Sequence, residues 1–526
     1  MGGMNLAGLD VIKENIEYER LYSISASDAV LKGEYLIPDT HPDVVKILTV
    51  EAKPVITNKE VVQERVYVEG QVEYNVIYLA KEDEGLGVHT ISYSDKFANY
   101  IDVAGAEHRM VCDAESEVEH INSNIINERK VSLECIFSTK CTVYKKDSFE
   151  FVKDIEGSGD VEVKKRSEAF DKLVYEKKFD LSTKASVQIG MDKPQIGKII
   201  KINAQLHKKE VRALDGRVQI SCYCKLDILY KATDSRELVP LEDDLFLTKE
   251  EDAENVSSSM ITDGDFRVAA SEYSIGEDDL GEARTLDIEV LVGGELKVYS
   301  KEELEIIEDA YSPARNMELK KDDVDMTVLH GQGSNETIVK DNIEPEEGAN
   351  EPLQILASKG DVVSLENKIV DNKIVIDGIV NVNVMYKTAD AENSVANVNS
   401  EIPFTTAVDI QDIKTDMKSV VKAWIENLQA SIEAHTIAIK AVINASAKVY
   451  LQSKKQYISE VEEKEEEVQG KKASITIYSV QKNDTLWDLA KKFNTTIAEL
   501  LKINDLEGPD SICVNQKIII PGRALM

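Results

Sequence analysis

Histidine and cysteine are the residue types of this chain that could bind a metal ion or supply a nucleophile, and their spacing supports neither. The histidines form no HxxxH or HExxH pair, and the cysteines form no CxxC pair. Cys222 and Cys224 lie two residues apart in a strand-like run, which predicts two small buried side chains on one face rather than half of a metal site. We therefore expect no metal, no cofactor and no disulfide framework from His41, His89, His108, His120, His207, His330, His435, Cys112, Cys135, Cys141, Cys222, Cys224 and Cys513.

Catalytic motifs that depend on local spacing are also missing. The sequence contains no GxSxG nucleophile turn, and the segment from Gly190 to Ile199 lacks both the spacing of a phosphate-binding loop and the Ser or Thr that would hold magnesium. The chain has 97 acidic residues, so paired carboxylates occur without marking an active site. The sequence predicts a protein that is not an enzyme. A wall hydrolase with an unrecognised catalytic domain is the alternative, which a lysis assay would reveal.

The chain is strongly acidic along most of its length. Its formal net charge is -35, and residues 475–526 carry as many basic as acidic side chains, so the excess lies upstream. An acidic body repels polyanions, which argues against nucleic acid and anionic membranes as partners. No stretch approaches 18 uninterrupted apolar residues, and the first residues lack a basic start followed by an apolar run. We expect neither membrane insertion nor export.

The body repeats itself three times. The alternating run from Gly70 to Tyr78 is echoed by runs that end at Tyr230 and Tyr386, at intervals of 152 and 156 residues. A second strand pattern recurs at intervals of 155 and 151 residues and closes each time on a tyrosine: Tyr144, Tyr299 and Tyr450. Pro42 and Pro194 also correspond, whereas the start of the third copy near Pro352 is degraded. This agreement in length indicates three related domains.

Each repeat is predicted to be mainly β, a β-sandwich or a curved sheet of antiparallel strands. Val, Ile, Thr and Tyr alternate with charged residues, which is typical of strands with one buried and one solvated face. Hairpin turns are expected at Asp215-Gly216, Asp371-Asn372 and Asp377-Gly378, and short helices at Asp43–Leu48 and Lys301–Glu308. The predicted boundaries are a leader (1–14), three repeats (15–160, 165–310 and 315–455, the last with an acidic loop at 341–352), a solvated charged linker (456–474) that leaves the terminal module mobile, and a terminal domain (475–523).

The terminal domain is predicted to be a small α+β unit of the order βααβ. Ile475–Val480 and Lys517–Pro521 suggest strands. Thr485 suits the N-cap of a first helix, and the box Thr496-Ile-Ala-Glu499 suits the start of a second. This stretch resembles the LysM domain, with Asn515 at a turn where the family usually has glycine. Asn tolerates a left-handed backbone, so the turn is expected to survive.

LysM domains bind N-acetylglucosamine polymers such as peptidoglycan or chitin in a shallow groove. The resemblance places the groove between two loops that contain Asn483, Asp484, Thr485 and Leu486 on one side and Asn504, Asp505, Leu506, Ser511 and Ile512 on the other. Some domains of this type bind proteins instead. For protein binding, Trp487 is the first candidate because tryptophan is enriched in interfaces, with Lys491 as a charged neighbour. Core packing is an equally good interpretation of Trp487, and Leu486 and Ile512 share that ambiguity.

The repeats, with the opening Ile37–Val44 and the G-x-V-x-Y-x-V-x-Y strand, resemble the SPOCS (spore coat) domain of endospore-forming bacteria. Three such repeats followed by a LysM domain resemble a family of clostridial spore coat morphogenetic proteins. This resemblance implies a scaffold of the mother-cell cytoplasm that gathers at the forespore surface and spore coat. Its implied partners are other coat proteins and the basal-layer coat ATPase, stage IV sporulation protein A, bound through the LysM domain. A peptidoglycan anchor at the forespore envelope is the alternative.

Overall fold

The computed structural model describes residues 10–82, 85–156, 161–233, 235–345, 351–390, 394–464 and 475–522. Within these ranges eighteen strands form the body of the protein, and two strands with two helices form the terminal domain. The strands of the first repeat are β1 (Asp10–Leu36), β2 (Val44–Val62), β3 (Arg65–Glu82), β4 (Gly85–Asp102), β5 (Val111–Asn127) and β6 (Lys130–Glu156).

The second and third repeats reproduce this order of six strands. The second repeat consists of β7 (Glu162–Gln188), β8 (Ile196–Leu214), β9 (Arg217–Ala232), β10 (Leu238–Asp252), β11 (Ile261–Glu277) and β12 (Ala283–Tyr311). The third consists of β13 (Asn316–Ile343), β14 (Pro352–Val370), β15 (Lys373–Thr388), β16 (Val395–Asp409), β17 (Lys418–Glu433) and β18 (Thr436–Lys464). The terminal domain consists of β19 (Ile475–Ser479), α1 (Leu486–Lys492), α2 (Ile497–Asn504) and β20 (Lys517–Pro521).

Each repeat folds into two three-stranded antiparallel sheets that face one another. In the first repeat the orders are β1-β6-β5 and β2-β3-β4, and the other two repeats have the same orders. Alternate residues of the central strands point into the space between the sheets, so Val68 and Val76 of β3 share one core with Leu133 and Phe137 of β6. The predicted β-sandwich repeats, and the α+β terminal domain, are confirmed.

The repeating tyrosines have a structural role that explains their regular spacing. The Tyr78 hydroxyl donates a hydrogen bond to the Pro42 carbonyl, and Tyr230 donates one to the Pro194 carbonyl in the second repeat. Each tyrosine is fully buried and fastens the loop before the second strand of its repeat to the third strand. This hydrogen bond explains why a tyrosine and a proline occur at the same separation in the first two repeats.

The three repeats surround one another instead of standing in a row. A single apolar cluster contains corresponding residues of all three, including Ile77 of β3, Leu229 of β9 and Met385 of β15. The first and third repeats also touch directly, since the Asn383 side chain donates a hydrogen bond to the Thr49 hydroxyl. Because a linear array would keep the outer repeats apart, these contacts require an approximately threefold arrangement.

The longest strands leave the sandwiches and form a common stalk. Beyond Tyr144, Tyr299 and Tyr450, each repeat continues as a two-stranded ribbon: β1 with β6, β7 with β12, and β13 with β18. The pairing register shifts at the base of every ribbon. Aromatic and aliphatic side chains from the three ribbons then meet in one core, which contains Phe149, Phe151, Phe170, Ile306, Val324 and Met326. The stalk is thus assembled from all three repeats.

Several sequence predictions are wrong in detail. The two predicted helices are strands instead, because residues 44–48 of the first pair within β2 and residues 301–308 of the second pair within β12. The predicted turn at Asp377-Gly378 lies inside β15, where Gly378 faces Phe404. The turns at Asp215-Gly216 and Asp371-Asn372 are confirmed by the hairpins they connect and by the positive φ of Gly216, Asp371 and Asn372.

The structure also changes three predicted segment boundaries. Residues 10–14 of the predicted leader belong to β1, and residues 456–464 of the predicted linker belong to β18, which pairs with β13 up to Lys464. Ile458 is buried in the stalk, which explains why this charged stretch is held in a strand. Residues 341–343 of the predicted acidic loop end β13. Residues 1–9, 346–350, 465–474 and 523 lie outside the described residues.

Candidate binding site on the terminal domain

Local hydrogen bonds set the two helices of the terminal domain as the sequence predicts. The Thr485 and Thr496 hydroxyls accept hydrogen bonds from the backbone N–H groups of Asp488 and Glu499, and both threonines have extended backbones. The Glu499 carboxylate accepts from the Thr495 hydroxyl. Asn515 has a φ of 69°, which confirms the left-handed turn expected at this position.

The first side of the predicted groove is a turn that precedes α1. Asn483 is exposed with a φ of 74°, and the Asp484 carboxylate accepts a hydrogen bond from the Gln481 backbone N–H. Thr485 is exposed but is engaged as the N-cap. Leu486 is fully buried in the domain core, so it offers no surface to a ligand. The polar side chains of Asn483 and Thr485 are therefore what this side presents to solvent.

The second side of the groove consists of the residues after α2. Asp505 has a left-handed backbone at the C-cap, and Ser511 closes a tight turn by a hydrogen bond to the Gly508 carbonyl. Both are exposed. Leu506 and Ile512 are half-buried and pack on the same core that buries Leu486. The structure thus brings the two predicted sides together through a shared core and leaves a rim of small polar groups.

Asn504 fastens α2 to the sheet and is not available as a groove residue. Its side-chain N–H group donates to the carbonyls of Leu500 (2.9 Å) and Ile519 (2.8 Å), while its side-chain oxygen accepts from the Ile519 N–H (2.6 Å). All polar atoms of the amide are therefore used within the domain. The sequence reasoning assigned this residue to ligand binding, whereas its hydrogen bonds show that it holds β20 in place.

Asn504→Ala is expected to destabilise the terminal domain by about 2 kcal/mol, because it removes three hydrogen bonds and leaves backbone groups of β20 without their partner. Thermal unfolding followed by the near-ultraviolet signal of Trp487 would measure the loss. Lys502→Ala, at an exposed position in the same helix, is the matched control and should change stability by less than about 0.5 kcal/mol. Equal effects of the two substitutions would contradict the structural role of Asn504.

Trp487 and Lys491 contact the body of the protein. The Trp487 indole N–H donates to the Asp309 carboxylate of β12 over 2.8 Å, and the Lys491 ammonium bonds both oxygens of that carboxylate at 2.6 and 2.7 Å. Trp487 is 8% exposed. Burial alone would raise the pKa of Asp309, but the hydrogen bonds from Lys491 and Trp487 outweigh it and hold the pKa below its ordinary value.

Tyr311, the last residue of β12, completes this contact. Its ring meets the Trp487 ring edge-on, with the ring centres 5.0 Å apart, and its hydroxyl donates to the Thr495 carbonyl. Tyr311 belongs to the apolar core of the terminal domain although it lies in the second repeat. The sequence predicts a terminal domain that moves on a tether, whereas in this structure the domain is docked on the end of the stalk.

The sequence reasoning missed Asp309 and Tyr311 altogether. Both lie in or beside a segment whose glutamates and lysines suggested a short helix, and neither belongs to a recognisable motif. The alternation of Leu304 and Ile306 with charged residues such as Glu305 would have indicated a strand. Even so, no signal within the chain relates this strand to a helix that begins 175 residues after Tyr311.

A small cavity lies at the base of the stalk, where Tyr144, Tyr299 and Tyr450 converge. It has a volume of about 40 Å³ and is also lined by Glu19, Asp263 and Lys448. This volume suffices for a few water molecules and is too small for a metabolite. Among the described side chains, no group of three or more His, Cys, Asp or Glu is placed to hold a metal ion. Cys222 and Cys224 are buried, as predicted.

Comparisons with known families agree with this architecture. Residues 43–126, 195–276 and 352–433 each match the family model of the SipL SPOCS domain, and residues 478–521 match that of the LysM domain. Each SPOCS match starts beside the second strand of a repeat and ends in or at the end of the fifth, so it leaves out the strands that build the stalk. No curated protein and no solved structure matches the chain.

The fold and these matches define a protein of three SPOCS domains and one LysM domain. Its three SPOCS matches and its LysM match agree with the description of a SipL-like protein, which implies a role in sporulation. Its LysM domain gives it the potential to bind peptidoglycan. In the part of the chain that the structure describes, no helix is long and apolar enough to cross a membrane.

Proposed function

We propose that this protein is a non-enzymatic scaffold of the endospore coat. In this proposal it works in the mother-cell cytoplasm, binds the basal-layer coat ATPase, stage IV sporulation protein A, through its LysM domain, and holds coat proteins at the forespore surface. The SPOCS and LysM matches support a role in sporulation. The three domains that surround one another support a scaffold, because together they present several outward faces.

The observation that carries the proposal is the position of the LysM domain. It caps the end of a stalk to which all three repeats contribute, so whatever it binds is connected to the whole body. The groove between the two predicted loops stays open to solvent, and its exposed polar rim of Asn483, Thr485, Asp505 and Ser511 supports a second candidate, a peptidoglycan anchor at the forespore envelope.

Binding of the intact chain to the immobilised ATPase and to purified peptidoglycan, measured side by side, would test the proposal. We expect saturable binding to the ATPase that chitin oligomers do not compete away. Asn483→Gly removes a groove side chain at a φ of 74°, which glycine adopts without strain, and should leave ATPase binding unchanged. Asn494→Gly, at a φ of 45° in the same domain, is the matched control.

The anchor would be the correct function if the chain bound peptidoglycan alone and if both chitin oligomers and Asn483→Gly abolished that binding. Release of soluble fragments from the peptidoglycan by the purified chain would contradict a non-enzymatic role.

A further inference from the structure

The LysM domain carries a compact recognition surface on α1 that differs from its sugar groove. Trp487 and Lys491 lie four residues apart, so their side chains share one face of the helix. Both aim their donors at the same point, which the Asp309 carboxylate occupies in this structure. We name the surface formed by Trp487 and Lys491 the carboxylate face. Two converging donors on a helix bind a carboxylate specifically and more strongly than either alone.

The ligand of the carboxylate face is a short strand segment with two functional groups. Asp309 and Tyr311 are two residues apart in β12 and therefore point to the same side of the strand. The carboxylate fills the donor site, the phenol ring covers the Trp487 ring, and the phenol hydroxyl reaches the Thr495 carbonyl. The carboxylate face thus recognises an acidic residue and an aromatic residue that are separated by one residue.

The contact with the stalk is small compared with the contacts that hold the repeats together. The direct polar and ring contacts between the body and the described part of the LysM domain include those of Asp309 and Tyr311, and Tyr311 is the body residue in the LysM core. The repeats, in contrast, share extended apolar clusters. Ten residues separate Lys464 from Ile475, enough chain to span roughly 30 Å when extended. Small interfaces between connected domains open readily, so the LysM domain can leave the stalk while both folds persist.

We propose that the carboxylate face is the surface through which the LysM domain binds its protein partner, and that Asp309 and Tyr311 occupy it in the free chain. The identity of the partner rests on the function proposed above, so the partner is the coat ATPase. The ATPase presents an acidic residue and an aromatic residue two positions apart on an extended segment. It displaces the chain's own segment. Because the internal segment is tethered, it competes at high effective concentration, and the free protein binds its partner less tightly than an opened chain does.

Two substitutions on opposite sides of the contact separate this proposal from a purely structural role. Asp309→Asn removes the internal competitor's charge, so it should raise the affinity of the intact chain for the ATPase on the order of tenfold. Lys491→Gln removes a donor of the carboxylate face itself, so it should lower that affinity by a similar factor. Asp287→Asn, an exposed position in the same strand, is the matched control and should bind like the unsubstituted chain.

Acrylamide quenching of tryptophan fluorescence reports opening without the ATPase. Trp487 should become more quenchable in both Asp309→Asn and Lys491→Gln, while Trp424 gives the same background throughout. Opposite changes in ATPase affinity from two variants that both open the domain would support the proposal. Equal affinities in the opened variants, or continued protection of Trp487 in Asp309→Asn, would overturn it.

A synthetic peptide of residues 305–311 distinguishes failure of this inference from failure of the proposed function. Added to the Asp309→Asn chain, it should restore protection of Trp487, and it should not do so for the double variant Asp309→Asn, Lys491→Gln. If the peptide acts in this way but no variant binds the ATPase, the ATPase is the wrong partner and the carboxylate face stands. If the peptide fails to protect Trp487, the carboxylate face is not a recognition surface.

Discussion

Leu229→Asp is expected to break the arrangement of the three repeats and to cost about 4 kcal/mol or more of unfolding free energy. Leu229 is 1% exposed and lies in the cluster where corresponding residues of all three repeats meet. A carboxylate there would have apolar neighbours from β3, β9 and β15, and the Lys201 ammonium on the facing strand is already bonded to the Glu51 carboxylate. The carboxylate would therefore be either left unpaired or exposed by separation of the repeats.

The measurements are urea unfolding and the hydrodynamic radius in the absence of urea. Each repeat keeps its own core, so we expect the β-sheet circular dichroism to persist while the radius increases and the urea midpoint falls. Leu280→Asp is the matched control, because Leu280 is in the same repeat and is 72% exposed; it should change stability by less than about 0.5 kcal/mol. Identical behaviour of the two variants would show that the repeats do not meet at Leu229.

Gly70→Val is expected to destabilise the first repeat by about 3 kcal/mol or more. A Cβ atom at Gly70 would lie 2.3 Å from the Val55 carbonyl oxygen and 2.8 Å from the Phe97 ring. The corresponding glycine of the third repeat, Gly378, faces Phe404 in the same way, with 2.8 Å between its added Cβ and the ring. The backbone of β2 cannot yield without losing its pairing with β3, so the strain falls on the whole sandwich.

Gly276→Val provides the comparison for this prediction. Gly276 also lies in a strand, but an added Cβ atom would approach no atom outside its immediate neighbours closer than 3.5 Å. Valine favours extended backbone, so this substitution should be neutral or slightly stabilising. Chemical denaturation of both variants would reveal the difference. A Gly70→Val chain as stable as the Gly276→Val chain would mean that β2 and β3 are further apart than described.

The second repeat shows how the same packing is reached with different residues. Cys222 occupies the position that corresponds to Gly70 and Gly378, and Leu247 replaces the phenylalanine opposite it. A larger side chain on one strand is therefore matched by a smaller one on the next. Because of this exchange, the sequence shows no glycine that is common to all three repeats at this position.

Local and periodic features of this protein were determined by the sequence by itself. The three repeats, their strands and the helix caps at Thr485 and Thr496 follow from the spacing of tyrosines, the alternation of apolar residues and the hydroxyls at helix starts. These features depend on neighbours within one strand pair or one helical turn, so the residues that cause them lie close together in the chain. The left-handed turn at Asn515 belongs to the same group.

Only the tertiary structure decided which surfaces meet. The segment Lys301–Glu308 is rich in charged residues that favour a helix, yet it forms a strand because β7 pairs with it and the stalk buries Ile306. Trp487 and Lys491 were visible as candidates, but their use depends on Asp309, which lies 178 residues before Trp487. The threefold arrangement likewise joins residues about 150 positions apart. Contacts of such separation arise from the summed burial of complete domains, and no local pattern in the chain records them.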